Sequence, residues 1–493
     1  MNYDVVFAGN GILATSAALE LLRRQPTLKV AVVGPDARAG GASKAAGAML
    51  NCFAEITKYT LSSRAARAKF SMCRAALELW PEWLEFVNER RRAPPLAMLR
   101  GTVVIENAVS GYLDSENFDA ILATLCALKE PHEFVSGDDI AGLNPVPPAR
   151  PFRAVRLPRE GSIDSAALYE GVCTALSELG ATFVHEPVGR LAVEHGRVSG
   201  VVLANGDVLS AGAVVCAAGA FTTALLDPVV PPTSVQPVFA GAGVAMTVRR
   251  HPGPGFTEVV RTVNRAGSCG LHLVPLAADR DYVGATNVLF SAPQTEASLG
   301  LCHFLLQCAI DQLDQGLSAR TIVEWRVGNR PVTLDTFPLI GWSDVDGLYI
   351  MTGTYRDGFH GSPLIARIAA SELLGTAPEW PHPFQPTRRP ISTLSANESA
   401  SECVYHATRT GFEASLVLPR LWRHEQMQLL FTPLVTRLYD RLRTRQGLPP
   451  DLVPFLAGSC MSEGPDAAAF ERVRTLLTAR GMSDDLDDPS GDR

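Results

Sequence analysis

The chain opens with an apolar run, Val5-Val6-Phe7-Ala8, and a glycine-bearing turn, Gly9-Asn10-Gly11. An amphipathic segment follows, then a second apolar run, Val30-Ala31-Val32-Val33. Unbroken apolar runs of this length predict strands buried on both faces, and the 3.6-residue period between them predicts a helix. The order strand, glycine turn, helix, strand is a βαβ unit. Gly9 permits the tight turn, Gly11 leaves its backbone open because it has no Cβ, and Ala14 at the third glycine position lets helix and strand pack closely. The helix N-terminus then presents N–H groups and the positive end of its dipole over the turn, a site suited to a pyrophosphate.

Residues 61–92 carry a helical pattern that Pro81 is expected to kink or divide. A strand is predicted at 99–105. A helix at 165–179 ends at Gly180, a C-cap signal. Residues 201–208 read as a hairpin around Asn205-Gly206, and 213–217 as a buried strand ending near Gly219. In a doubly wound sheet that strand end lies beside the first glycine turn. From 233 to 335, strand-like runs (244–248, 270–274, 282–285) are separated by turns and followed by a helix near 300–313. These features predict an α/β protein with a Rossmann-type nucleotide-binding domain in three parts, 1–90, 161–230 and 329–376. An antiparallel-sheet (α+β) substrate domain is inserted as 91–160 and 231–328. At 377 the composition shifts: 377–410 is expected to be a linker, 411–480 a mainly helical C-terminal extension with Leu434, Val435, Leu438 and Leu442 on one face, and 481–493 an acidic disordered tail.

Composition narrows the function classes. A chain of 493 residues exceeds one small domain. A net charge of −7 argues against nucleic acid as the main partner. The ten cysteines are scattered, and Cys216 lies inside an apolar run, which reads as buried reduced thiols. No run approaches the ~20 apolar residues of a membrane span. The chain enters its first core strand at Tyr3, where a signal peptide would otherwise lie. A cytoplasmic protein away from the membrane, with no metal site, is expected.

Further motifs follow in order: Gly41-Ala42-Ser43-Lys44-Ala45-Ala46-Gly47-Ala48-Met49-Leu50, Gly161-Ser162-Ile163-Asp164, Val215-Cys216-Ala217-Ala218-Gly219-Ala220-Phe221, Val274-Pro275 with Val283-Gly284-Ala285-Thr286, Asn329-Arg330-Pro331-Val332-Thr333 with Pro338-Leu339-Ile340-Gly341, and Thr352-Gly353-Thr354-Tyr355-Arg356-Asp357-Gly358. Taken together with the opening turn, they resemble the D-amino-acid-oxidase superfamily of flavoproteins, most closely its glycine oxidase and sarcosine oxidase branch, over residues 3–375. The resemblance implies non-covalent FAD with its pyrophosphate on Gly9 and Gly11. It places further cofactor contacts at Ile12, Asp36, Ser43, Ala48, Val188 (the adenine contact), Ala218, Gly219, Gly353, Arg356, Asp357 and Gly358. Loop 42–49 would run beside the isoalloxazine, with Met49 on the substrate side. The N-terminus of the last helix, expected at 364–374, would stabilise negative charge at N1/O2 of the reduced flavin. Arg330 would grip a substrate carboxylate with its guanidinium fork, and Arg356 would flank the same pocket. The alternative for each arginine is a surface or interdomain salt bridge.

Three departures from the family pattern stand out. The ribose-binding acid that normally ends the second strand is missing at Gly34: either Asp36 reaches the ribose from a shifted position, or water and backbone serve. His272 stands where a pocket tyrosine is usual, and His360 where an aliphatic residue is usual. The two histidines either shape a different substrate pocket, or one of them titrates near neutrality, or they are packing residues. No cysteine occupies the position used for covalent flavin attachment.

The expected activity is oxidation of a C–N bond in an amino acid or N-substituted glycine, with hydride passing to flavin N5 through positioning rather than a named base. The products are an imine or 2-oxo acid, glyoxylate where an N-carboxymethyl group is removed, and hydrogen peroxide where dioxygen is the acceptor. A specialised biosynthetic step fits the unusual pocket and the extra C-terminal region. Two other readings stand beside it. One is a tRNA-modifying oxidoreductase that trims a carboxymethylamino group, against which the acidic balance weighs. The other is a non-catalytic FAD-containing assembly protein. Either a homo-oligomer or a docked partner could use the C-terminal extension.

Overall fold

In the computed structural model, which describes residues 2–91, 93–109, 111–250, 255–265, 270–276, 279–413 and 424–483, two sheets face a common cleft. The first runs Leu339–Trp342, Leu348–Thr352, Val208–Cys216, Asn2–Ala8, Val30–Val33, Thr182–Val184, with the hairpin of Val188–Glu194 and Arg197–Leu203 joined to Val208–Cys216. Asn2–Ala8 pairs in parallel with both Val30–Val33 and Val208–Cys216. Helices Ile12–Arg24 and Ser362–Leu373 cover one face of these central strands, and the hairpin with helix Thr222–Leu226 covers the other, so Val5 to Ala8 and Val30 to Val33 are all buried. The buried parallel strands expected from the apolar runs are present. Gly9 adopts φ +126°, and a Cβ there would lie 2.4 Å from the Ala217 carbonyl oxygen. The turn therefore closes against the end of the neighbouring strand only as glycine.

The second sheet has ten strands, built on long antiparallel pairs: Val238–Arg249 with Ile322–Thr333, and Leu99–Asn107 with Pro151–Ser162. One pair departs from the antiparallel expectation, because Val259–Thr262 runs parallel to Leu99–Asn107. Residues 329–333, expected with the nucleotide-binding part, complete a strand of this sheet instead. Helices Ser165–Glu178, Leu299–Gln312 and Ser362–Leu373 lie within two residues of their expected bounds.

Helix Arg64–Glu89 runs unbroken through Pro81. The division considered for this position does not occur. Trp80 and Trp83 on either side are buried, and the apolar area they remove from water offsets the hydrogen bond that proline cannot make. Among the described residues the extension forms four helices, Ala396–Glu413, His424–Leu442, Val453–Ser459 and Pro465–Ala479. The first begins inside the segment expected to be a linker. It starts at a reciprocal cap: Ser395 N donates to Glu398 Oε2 at 2.8 Å, and Glu398 N donates to Ser395 Oγ at 3.2 Å. Val435, Leu438 and Leu442 are buried as expected, but Leu434 is exposed. These helices share one core with Phe239, Leu289, Val332, Leu334 and Tyr355 of the body. The expected tail lies, from 484 onward, outside the described residues. Among the described residues no helix is long and apolar enough to cross a membrane.

Candidate active site

The C-terminal ends of the first sheet's parallel strands and one face of the second sheet enclose an elongated cavity of about 670 Å³. At the glycine turn its wall includes Gly9, Gly11 and Ile12. No side chain of Gly11, the N-cap of Ile12–Arg24, caps that helix. Ser43 reaches in from the following loop, and its Oγ accepts from Ile12 N at 2.9 Å. Val188, Ala218, Gly219, Ala48, Asp357 and Gly358 also line the wall.

Two expected cofactor positions are not brought to the wall. The Asp36 side chain is 78% exposed and hydrogen-bonds His185. Asn10 fills the space at the end of the second strand: a Cβ on Gly34 would lie 2.6 Å from Asn10 Cγ, and Asn10 Nδ2 donates to Pro35 O at 3.0 Å. The amide of Asn10, itself on the wall, stands where the acid's side chain would begin. Gly353 turns the chain at φ +72° against Thr333, behind the wall.

Met49, His272, Arg330, Arg356 and His360 all line the same cavity. Arg330 lies opposite Gly241 on the neighbouring strand. A Cβ on Gly243 would be 2.4 Å from its Nη1, so the small residues of that strand form the shelf on which the guanidinium rests. Nη1 donates to Thr286 O at 3.0 Å and to Asn287 Oδ1 at 3.3 Å. Arg356 is both a wall residue and an ion-pair residue. It is on the wall, and its Nη2 donates to Asp451 Oδ1 of the extension at 3.1 Å, to the Tyr355 hydroxyl at 3.2 Å and to Arg265 O at 3.4 Å.

Burial disfavours the charged form of both site histidines. His272 is buried and stacks on Tyr282, with ring centroids 5.7 Å apart. Its Nδ1 faces the Gly270 carbonyl at 3.0 Å, which assigns the proton to Nδ1 and leaves Nε2 as an acceptor. Burial, with the Arg261 and Arg330 charges, holds its pKa down at about 3. His360 is buried with Nε2 2.7 Å from Cys73 O, and burial lowers its pKa as well. Its own carbonyl accepts from Trp80 Nε1 at 3.0 Å, so it ties the long helix to the loop at 352–361.

Some wall and support residues carried no sequence signal. Glu55 lines the cavity and pairs with Arg261, which is fully buried, and with Asn264. Burial pushes the Glu55 carboxyl up, but the Arg261 guanidinium, the Arg356 charge and the Asn264 hydrogen bond outweigh it and hold it at about 2. Glu160 is buried and accepts the backbone N–H groups of Cys52 (2.7 Å), Phe53 (2.5 Å) and Ala54 (3.2 Å). It thereby fixes the turn that follows Met49. Burial raises its pKa to about 7 against those three donors. Lys69 pairs with Asp357 at 2.8 Å. These partners come from separate elements without local motifs, so only the fold brings them together.

Residues 4–372 match the family model described as DAO, FAD dependent oxidoreductase. The chain belongs to this family of FAD-dependent oxidoreductases. It is 30% identical over 230 residues to the D-amino acid dehydrogenase of Methylobacterium nodulans, a match covering 46% of this chain and 52% of that one. The chain spans about half the length of the curated relatives it matches. Glycine oxidase from Geobacillus kaustophilus superimposes with a TM-score of 0.66 at 23% identity, covering 79% of this chain and 99% of that one. Iminodiacetate oxidase from Chelativorans sp. BNC1 gives 0.64 at 21% identity, with coverages of 78% and 98%. Both structures share the fold.

The residues present fit the DAO-family cofactor. The glycine turn and the N-terminus of Ile12–Arg24 form an anion cradle that a Cβ would fill, and the cavity continues from it as one long space. At its edge, the Arg38 guanidinium stacks on Tyr169, whose hydroxyl donates to Asn10 O at 2.8 Å. Gly47 passes so close under Tyr282 that a Cβ would lie 2.8 Å from the ring, which keeps the loop before Met49 flat.

Proposed function

We propose that this protein oxidises the C–N bond of an amino acid or N-substituted glycine, with Arg330 holding the substrate carboxylate. The observation that carries the reading is the Arg330 guanidinium, fixed by Thr286 and Asn287 on the wall of the cavity that fits FAD. A guanidinium fork clamps a carboxylate with two parallel hydrogen bonds. That clamp sets the direction in which the substrate's Cα–H points. FAD, when bound, supplies the hydride acceptor. Neutral His272 adds no further positive charge beside the arginines, and its Nε2 is an acceptor suited to an amine N–H. No side chain is asked to remove a proton from carbon; the residues act by orientation.

The imine formed would hydrolyse to a 2-oxo acid, or to glyoxylate where the substrate carries an N-carboxymethyl group. Dioxygen as acceptor would give hydrogen peroxide. Relatives and neighbours named as amino acid dehydrogenases, glycine oxidase and iminodiacetate oxidase support an amino-acid-like substrate. A specialised biosynthetic step in the cytoplasm is part of this reading. The assembly-protein reading draws less support, because the buried face of the extension packs on the protein's own body.

Anaerobic mixing with glycine, sarcosine, D-amino acids, proline and N-carboxymethyl amines tests the proposal. Bleaching of the flavin band by at least one is expected, and bleaching by none would refute it. Arg330→Ala is expected to keep FAD but to raise KM at least 100-fold or abolish reduction, consistent with the loss of about 3 kcal/mol from a charge-assisted pair. Full activity in that variant would remove the clamp.

A further inference from the structure

Between the body and the extension lies a second cavity of about 200 Å³, which shares Glu55, Tyr355, Arg356 and Asp357 with the first. Pro449-Pro450-Asp451 forms part of its outer wall. Asp451 is almost fully buried, and its Oδ1 collects two donors: the Tyr355 hydroxyl at 2.6 Å and Arg356 Nη2 at 3.1 Å. The Tyr355 hydroxyl accepts in turn from Asn287 Nδ2 at 2.8 Å, and Asn287 Oδ1 accepts from Arg330 Nη1 at 3.3 Å. One carboxylate of the extension is thus joined directly to one site arginine, and through two neutral groups to the other. Every donor in the chain points toward Asp451, the sense in which successive hydrogen bonds reinforce one another. The two preceding prolines restrict the backbone that presents it.

The charge arithmetic has a consequence for substrate choice. Asp451 already neutralises the Arg356 guanidinium, so a second substrate carboxylate entering beside that pair would bring an uncompensated charge into a buried site, which is costly. We propose that the extension completes the substrate site through Asp451, a positioning residue that keeps Arg356 committed to the extension, so that the pocket accepts a substrate with one carboxylate and rejects a second. The inference rests on the reading of Arg330 as the carboxylate clamp.

The test uses the full-length holoenzyme, titrated calorimetrically at fixed ionic strength with acetate, malonate, succinate and glutarate. In the wild type every dicarboxylate binds no tighter than acetate. Asp451→Asn keeps the shape of the side chain and an acceptor for Tyr355 but removes the charge. In that variant the best-fitting dicarboxylate gains ten-fold or more relative to acetate. Ser291→Ala breaks a different contact between body and extension, the 2.6 Å bond to Asp466, and leaves the ratio as in the wild type. A gain below ten-fold in Asp451→Asn overturns the proposal, and so does an equal gain in Ser291→Ala, which would assign the effect to general loosening. A dicarboxylate that already binds ten-fold tighter than acetate to the wild type also overturns it, and that measurement needs no variant. Failure of acetate to bind the wild type at all overturns the clamp as well, which separates the two failures.

Discussion

A single asparagine explains how the nucleotide end departs from its family pattern. Asn10 occupies the space beyond Gly34, so an acid at that position would meet its side chain, and Asp36 points away from the cavity. Restoring the acid alone is therefore expected to harm the site. Gly34→Asp should weaken FAD binding at least ten-fold, whereas Gly34→Asp combined with Asn10→Ala should recover most of that loss by opening the space. Fluorescence titration of the apoprotein with FAD measures both. A single Gly34→Asp variant that binds FAD as well as the wild type would show that Asn10 yields freely. At this scale the sequence was informative wherever a residue's role follows from its own backbone. Gly9, Gly11, Gly219 and Gly358 all reached the wall because a Cβ, or the lack of one, is a local property. Arg261, Glu55 and Glu160 were not legible, because their roles depend on partners supplied by distant segments.

Elements were legible in proportion to how much of their stability is local. The helices at 165–178, 299–312 and 362–373 carry clear periodicity and appeared near their expected bounds. The helix Tyr112–Leu128, whose start is marked only by Asp114 accepting from Gly111 N at 2.9 Å, and the strand Pro151–Ser162 were not anticipated. The Ser395/Glu398 cap was a readable signal hidden by the proline-rich composition before it. Pro81 is the opposite case, a strong local breaker overruled by tertiary packing. Its missing N–H and the clash of its ring with the preceding turn remain a standing cost to helix Arg64–Glu89. Pro81→Ala is accordingly expected to stabilise the protein by about 1–3 kcal/mol. Thermal unfolding followed by circular dichroism checks this; an unchanged or lowered midpoint would mean that the helix is shaped around the proline.

For the molecule as a whole, the question is whether the extension is an appendage or part of the cooperative unit. Sequence patterning separated it at 377 because composition changes there, but composition does not report what an apolar face packs against. Leu438, Phe470, Val473 and Leu476 share one buried cluster with Phe239, Val332 and Leu334 of the body. Val332 and Leu334 flank the end of the strand that carries Arg330, and Tyr355 of the same cluster precedes Arg356. Ion pairs from three separate parts of the extension, Glu402 to Lys58, Asp451 to Arg356 and Arg472 to Asp227, bind it to widely spaced points on the body. A shared core with distributed contacts unfolds as one piece when the interface free energy exceeds what either part holds alone. Leu438→Ala, which empties a fully buried site in the extension, should then cost about 2–5 kcal/mol to the entire protein. Helix loss and flavin release should move to lower temperature together, as coincident curves, even though Leu438 lies outside the residues that match the family. A first transition in helix content with flavin still bound would instead show two units, with the substrate site keeping its shape after the extension has melted.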